Sequence, residues 1–394
     1  SGCKSLTAYT VEAGNTVYKS VNGVLFSADG THLVAYPAAK SGNYTVPEGT
    51  RYIDYGAFSN QKYMNKVYFP SSLISIGGYA FSDCLFLGSV TFPSTLPSIG
   101  NDAFRGCTYL TSVTFENPTV TLGDYLFSGC TALKQMEISE KAELTLGRAC
   151  FNGCTALTEV TIPASVTSLS GFSSCDSLES VYLYNSGDIV MAAFKDCPNL
   201  RTVEFYGSVT KIGSDAFQNC DALTEIKIPA SVTSLGGFRD CDGLVSVHLD
   251  INGVIETYAF ANCSNLVNVT FSDTVTAIRS SAFENCDALE EVTIPSGVTS
   301  LDGFSGCANL KRVYVYSTGV IEGYAFAYCS NLETVVMAEG VTAIQGCAFD
   351  KCTSLKEITF PASVTSLYSS SFRGCTALKT IYFRGDAPKI DGDA

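Results

Sequence analysis

The chain has 394 residues, 46% of them apolar, and a net charge of −14 from 38 acidic against 24 basic residues. Binding to nucleic acid requires many positive charges to neutralise the phosphates, so this composition argues against a nucleic-acid partner. No apolar run approaches the roughly 18 to 20 residues of a membrane-spanning helix, and no basic segment followed by an apolar one opens the chain. We therefore expect no membrane insertion of this stretch.

Residues 1–56 are predicted to form a partial repeat followed by an irregular β-hairpin segment. The sequence Cys3-Lys4-Ser5-Leu6 matches a motif that recurs later in the chain. Two alternating apolar runs, around Val24 and Leu33, are joined by Asp29-Gly30. An Asp-Gly turn between alternating runs favours a β-hairpin.

Residues 57–394 are predicted to form about 15 repeats of 21–24 residues. The unit reads A-F-x-x-C-x-x-L-x-x-V-x-I-P-x-x-V-x-x-I/L, and Gln61 stands in the first unit where later units have Cys. Alternation in V-x-I is typical of a strand with one buried face, and the following Pro ends the strand. The cysteine positions are 84, 107, 130, 154, 175, 197, 220, 241, 263, 286, 307, 329, 352 and 375.

Such a period predicts a leucine-rich-repeat solenoid that is elongated and curved, with a parallel β ladder and short helical or 3₁₀ turns at A-F-x-x. The recurring Cys fits the interior turn position that Asn or Cys occupies in these repeats. Stacked coils would also place neighbouring cysteines within disulfide range, but we expect a row of free, buried thiols. Cys150 and Cys347 lie off this row and are interpreted as small filling residues.

A second period begins at about residue 154. Cysteine intervals of 21, 22 and 23 residues then recur, so Cys154, Cys220, Cys286 and Cys352 are each 66 residues apart. The short coils carry Gly-Phe in place of Ala-Phe. We expect triplets of coils to be the unit of duplication and function to follow the same three-coil rhythm.

With these motifs, and with the Asn15-x-x-Tyr18 and Asp29-Gly30-x-x-Leu33 pattern of the hairpin segment, the chain resembles the BspA-like leucine-rich repeats of bacterial surface proteins. The resemblance implies a right-handed solenoid, export and display at the cell surface, and members have been linked with adhesion. We expect the chain to be a fragment cut within a repeat at both ends, whose signal peptide and anchor lie outside it.

The middle residue of V-x-I is predicted to point outward onto one exposed face. Aromatic side chains return there every third coil, and two further tyrosines lie two residues later. Tyr is common at interfaces because it combines apolar area with a polar tip, although it also suits any exposed sheet without a ligand. The candidate partner-binding residues are Tyr182, Tyr184, His248, Tyr314, Tyr316 and Tyr382.

The sequence therefore predicts a non-catalytic module that binds a protein, from a host matrix or another microbe, through its β-face. A spacer that displays other domains and a glycan-binding protein are the alternatives. The only histidines are His32 and His248. With so few bases, no CxxC pair, and no phosphate or dinucleotide motif, we predict no catalytic site, metal or cofactor.

Overall fold

The computed structural model describes residues 3–116, 119–137 and 143–393, except for the side chain of Glu137. It divides into two compact units, one of residues 1–187 with 202–207 and one of residues 188–201 with 208–394. Each unit is a parallel β-solenoid. No helix occurs among the described residues, so the predicted short helical turns are not present in them.

The first unit contains all strands from β1 to β18 except β17. In chain order, the strands up to β18 are β1 (Tyr18–Val21), β2 (Val24–Ser27), β3 (His32–Ala35), β4 (Tyr44–Thr45), β5 (Tyr52–Ile53), β6 (Val67–Tyr68), β7 (Ser75–Ile76), β8 (Ser89–Phe92), β9 (Ser98–Ile99), β10 (Ser112–Phe115), β11 (Thr119–Leu122), β12 (Gln135–Glu137), β13 (Glu143–Thr145), β14 (Glu159–Ile162), β15 (Ser168–Leu169), β16 (Ser180–Leu183), β17 (Asp188–Ile189) and β18 (Thr202–Phe205). Of these, β17 belongs to the second unit.

The remaining strands all belong to the second unit. They are β19 (Lys211–Ile212), β20 (Glu225–Ile228), β21 (Ser234–Leu235), β22 (Ser246–Leu249), β23 (Val254–Ile255), β24 (Asn268–Phe271), β25 (Ala277–Ile278), β26 (Glu291–Ile294), β27 (Ser300–Leu301), β28 (Arg312–Val315), β29 (Gly319–Ile321), β30 (Thr334–Met337), β31 (Val341–Ile344), β32 (Glu357–Phe360), β33 (Ser366–Leu367), β34 (Thr380–Phe383) and β35 (Lys389–Ile390).

Three antiparallel strands form the segment for which the sequence predicts a hairpin. β2 pairs antiparallel with β3 across the Asp29-Gly30 turn, and β1 also pairs antiparallel with β2. The Asn15 side-chain oxygen accepts the Tyr18 N–H at 2.9 Å, which fixes the start of β1. β3 then pairs in parallel with β5, so the hairpin leads directly into the solenoid.

Two different strands occur in most coils, whereas the sequence predicted a single ladder. The second strand of each coil contains the last residue of the motif V-x-x-I/L, as in Ser234–Leu235, and lies just before the A-F-x-x-C turns of the next repeat. These second strands form the continuous ladder. It runs through β3-β5-β7-β9-β11-β13 in the first unit and through the odd-numbered strands from β17 to β35 in the second. We call this the back face.

The V-x-I strands form the front face, which is divided. Their pairings define the separate sheets β8-β10-β12 and β14-β16-β18 in the first unit. In the second unit they define β20-β22-β24, β26-β28-β30 and β32-β34. From β14 onward, each complete 66-residue triplet therefore corresponds to one three-stranded sheet.

The A-F-x-x-C segment and the residue before it form a run of turns, because two of these residues adopt left-handed backbone conformations. In the coil of Cys84 these are Tyr79 (φ 55°) and Asp83 (φ 56°). Successive amides donate alternately to the next coil and within their own coil. Phe81 N–H donates to Ala103 O of the next coil at 2.7 Å, whereas Ser82 N–H donates to Tyr79 O of its own coil at 3.1 Å. A helix needs successive amides to bond within the segment, so it cannot form where every second amide donates to a neighbouring coil.

One buried Phe per coil forms the centre of the core. In the second unit, successive rings from Phe194 to Phe372 stack with centroids 5.0–5.6 Å apart and planes within 11° of parallel. The first unit has the same stack from Phe58 to Phe172, at 4.5–5.7 Å. Offset aromatic stacking adds about 0.5–1.5 kcal/mol per pair to the burial of apolar area.

The recurring cysteines are free thiols, as predicted, and nearly all are buried. Most of these thiols donate to the Phe carbonyl oxygen of the preceding coil, as Cys241 Sγ does to Phe217 O at 3.1 Å. Gln61 performs the same task with its amide, which donates to Pro37 O at 2.8 Å. Cys150 fills a buried Ala position, whereas Cys347 is half-buried with a φ of 61°.

Burial predicts strongly unequal thiol reactivity. Desolvation raises the pKa of Cys154 and of Cys241 to about 12, so both thiols are protonated and unreactive at neutral pH. Cys3 is exposed. We expect iodoacetamide to label Cys3 first in the native protein, and all 17 cysteines after unfolding without reductant. Mass spectrometry that finds pairs of cysteines protected in the unfolded, unreduced chain would show disulfides instead.

Candidate functional site

The predicted outward-facing aromatic positions lie on the central strands of the front face. Tyr182 is on β16, His248 on β22 and Tyr314 on β28, and each of these strands is paired on both sides. The neighbours in register are Thr161 and Glu204 for Tyr182, Lys227 and Thr270 for His248, and Thr293 and Val336 for Tyr314. Three-coil periodicity in the sequence thus places one chosen residue at the centre of each three-stranded front sheet from β14 onward.

In the first unit, Tyr182 and Tyr184 belong to an aromatic patch. Tyr182 is half-buried, and Tyr184, which is 39% exposed, stacks on Tyr206 with centroids 4.8 Å apart. The Tyr206 hydroxyl donates a hydrogen bond to the Glu204 carboxylate, which raises the pKa of Tyr206 to about 12. Sequence reasoning missed Tyr206, although it follows the outward position of β18 by two residues, as Tyr184 follows that of β16.

His248 is part of a polar network and not of an aromatic patch. Its Nδ1 lies 2.5 Å from Thr270 Oγ1 and its Nε2 lies 2.9 Å from Asp250 Oδ1. Lys227 Nζ is 3.4 Å from the other Asp250 oxygen. Asp250 occupies the position that Tyr184 and Tyr316 have in their own sheets. The aromatic row is therefore interrupted at β22 by side chains that pair with each other.

Tyr314 and Tyr316 form the corresponding surface of β28. Tyr314 is half-buried and Tyr316 is 49% exposed. Arg312 on the same strand places its Nε 2.5 Å from Glu291 Oε2. These side chains combine apolar ring area with a charged pair, as protein-binding surfaces commonly do.

Tyr382 lies on β34 in a different environment. It is 49% exposed, but the neighbouring residues Ile381 and Phe383 are also exposed, at 38% and 41%. The alternation of buried and exposed residues that distinguishes the other central strands is thus absent from β34. Exposure of Tyr382 does not single it out from its neighbours.

A gap between β24 and β26, which the repeat pattern did not predict, interrupts the front face. These consecutive front strands belong to different sheets. An open groove of about 840 Å³ lies there, and we call it the seam groove. It is lined by Val267, Asn268, Val269, Thr270, Phe271, Asp273, Glu290, Glu291, Thr293, Pro295, Ser296, Arg312 and Tyr316.

Groups able to support metal or acid–base chemistry are sparse in the part of the chain that the structure describes. No cluster of three or more His, Cys, Asp or Glu side chains there is arranged to hold a metal ion. His32 bonds to Asp54 through Nδ1 at 2.8 Å and stacks on Tyr52. Both histidines thus have carboxylate partners on open surface.

Comparison with known proteins agrees with this architecture. The family described as BspA type leucine rich repeat region matches residues 36–144, 140–244, 236–320 and 319–394. No curated protein matches the sequence.

Among solved structures, a leucine-rich repeat protein from Bacteroides ovatus is similar with 25% identity and a TM-score of 0.58, over 98% of this chain and 91% of that one. A leucine rich cell surface protein from Faecalibacterium prausnitzii has 23% identity and a TM-score of 0.38, over 95% and 97%. A T. pallidum leucine rich repeat protein has 20% identity and a TM-score of 0.40, over 54% and 90%. The family match spans nearly the whole chain, and the chain therefore belongs to the BspA-type leucine-rich-repeat family.

Proposed function

We propose that this chain is a non-catalytic module that binds a protein partner through its front face. The proposal rests on two pairs of tyrosines at the centres of two front sheets, each with one half-buried and one exposed ring: Tyr182 with Tyr184, and Tyr314 with Tyr316. Tyr buries a large area at low entropic cost and retains a hydrogen-bonding tip, which is why it is enriched among the residues that dominate interface energies. Leucine-rich-repeat families are generally built for binding and not for catalysis, which is consistent with this proposal.

We further propose display at a bacterial cell surface, with adhesion to a host matrix or microbial protein as the outcome. This part rests on membership of the BspA-type family, whose relatives include bacterial surface proteins. In the described parts of the chain, no helix has the length and apolar character needed to cross a membrane.

Replacing Tyr182, Tyr184, Tyr314 and Tyr316 together by Ala tests the proposal. A single well-buried Tyr anchor commonly contributes about 2 kcal/mol to binding, so we expect the quadruple variant to lose at least tenfold in affinity. Binding is measured by surface plasmon resonance against a panel of purified extracellular-matrix proteins and, in parallel, a glycan array.

A matched control replaces four exposed tyrosines of the turn segments by Ala: Tyr55, Tyr258, Tyr324 and Tyr328. We expect this control to retain wild-type binding. A wild-type chain that binds no protein of the panel would favour the spacer, and binding to glycans alone would favour a lectin. Equal loss in both quadruple variants would show that the front face has no special part.

A further inference from the structure

The seam groove exposes residues that are core residues in neighbouring coils. Val269 and Phe271 of β24 are half-buried. Their counterparts in the coil before, Val247 and Leu249, are at most 1% exposed, and those in the coil after, Val292 and Ile294, are at most 2% exposed. Val267, which directly precedes this strand, is 44% exposed. The groove thus has an apolar floor where the repeat otherwise buries its interior.

Unpaired strand edges form the two sides of the groove. β24 is bonded to β22, with Asn268 N–H donating to Val245 O at 3.0 Å. Because backbone groups alternate in direction along a parallel strand, those of Val269 and Phe271 point toward β26. No ladder joins β24 to β26 among the described residues. The two coils remain bonded on either side of these strands, by Ala288 N–H to Ser264 O at 3.1 Å and by Thr299 N–H to Thr276 O at 2.9 Å. An occupant would therefore lie over the seam and not between the two strands.

Charge at the groove favours a basic occupant. Lys311 pairs with Glu290 at 3.0 Å and Arg312 pairs with Glu291 at 2.5 Å. Asp273 forms no ion pair within the described ranges, and the whole chain carries −14. A cationic side chain placed near Asp273 would be attracted both by that carboxylate and by the field of the chain.

We propose that the seam groove binds an extended segment of a protein partner in which apolar and basic side chains alternate. Apolar side chains contact Val267, Val269 and Phe271, and basic side chains approach Asp273. The volume, about 840 Å³, lies within the roughly 300–1,000 Å³ of ligand sites. Since Tyr316 also lines the groove, this inference rests on the proposed function and specifies its partner.

The probe is a fluorescein-labelled eight-residue peptide of alternating Val and Lys, and its charge control has Glu in place of Lys. Fluorescence anisotropy with the full chain should show saturable binding of the Val-Lys peptide and at least tenfold weaker binding of the Val-Glu peptide. We expect Asp273→Lys to weaken binding of the Val-Lys peptide at least tenfold and Val267→Ser to weaken it several-fold.

Matched controls carry the same changes at exposed positions that do not line the groove: Asp221→Lys, and Val245→Ser at the equivalent site of the preceding coil, where Val245 is 40% exposed. Both should bind within twofold of the wild type. Absence of Val-Lys binding, equal binding of both peptides, or equal loss in groove and control variants would overturn the groove proposal. A chain that binds a matrix protein through its tyrosines but ignores the peptide refutes the groove proposal alone, whereas one that binds neither refutes both.

Discussion

Replacement of Phe238 by Ala is expected to lower the free energy of unfolding by about 3–5 kcal/mol, the usual cost of truncating a buried aromatic side chain. Phe238 is fully buried, and its ring stacks on Phe217 at 5.0 Å and on Phe260 at 5.3 Å. The backbone on either side is held by bonds to neighbouring coils, such as Phe238 N–H to Ala259 O at 2.7 Å. The coil is therefore poorly able to close around the cavity, which should place the loss toward the upper part of this range.

Tyr258→Ala is the matched control for this variant. Tyr258 belongs to the coil of Phe260 but is 48% exposed, so its truncation should change stability by no more than about 0.5 kcal/mol. Urea denaturation followed by circular dichroism gives both values. Because stability in repeat proteins is largely a sum over neighbouring repeats, hydrogen exchange should also show the loss centred on the adjacent coils. A cost below about 1 kcal/mol for Phe238→Ala would mean that the Phe stack does not hold the coils together.

Most of the fold was predictable because nearly every position of the repeat has a single physical task. Phe81 and its equivalents fill the core, and the cysteines donate to a carbonyl group of the preceding coil. Even the exception at Gln61 preserves that hydrogen bond with a different donor. A pattern copied so many times reduces the number of alternative structures, so a solenoid follows from spacing alone.

Features that depend on contacts between coils were not predictable in the same way. The A-F-x-x segment has helix-compatible residues, yet Tyr79 adopts a left-handed conformation because its amide bonds to Asn101 O of the next coil. Similarly, His248 aligns with tyrosines in the sequence but pairs with Thr270 and Asp250 in space. The seam groove arises from the absence of pairing between two strands whose sequences, N-V-T-F and E-V-T-I, both match the strand pattern.

Division of the front face also predicts a large contrast in amide exchange between equivalent residues. Ser246 N–H donates to Thr224 O, and Arg312 N–H donates to Glu290 O, each at 3.2 Å. Glu291 holds the same position in β26 but faces the seam, where no described residue accepts its N–H. Exchange of an amide requires its hydrogen bond to open, so an unbonded amide on a strand edge exchanges at a rate set by local exposure.

Hydrogen–deuterium exchange of the free, full chain, resolved to single amides by NMR, tests this division most directly. We predict that Glu291 and Thr293 exchange at least about 100-fold faster than their equivalents Ser246 and His248 in β22 and Arg312 and Tyr314 in β28, a difference of about 2.7 kcal/mol in opening free energy. Equal protection of all six amides would show that β26 is paired to β24. The front face would then be continuous, and the seam groove would not exist.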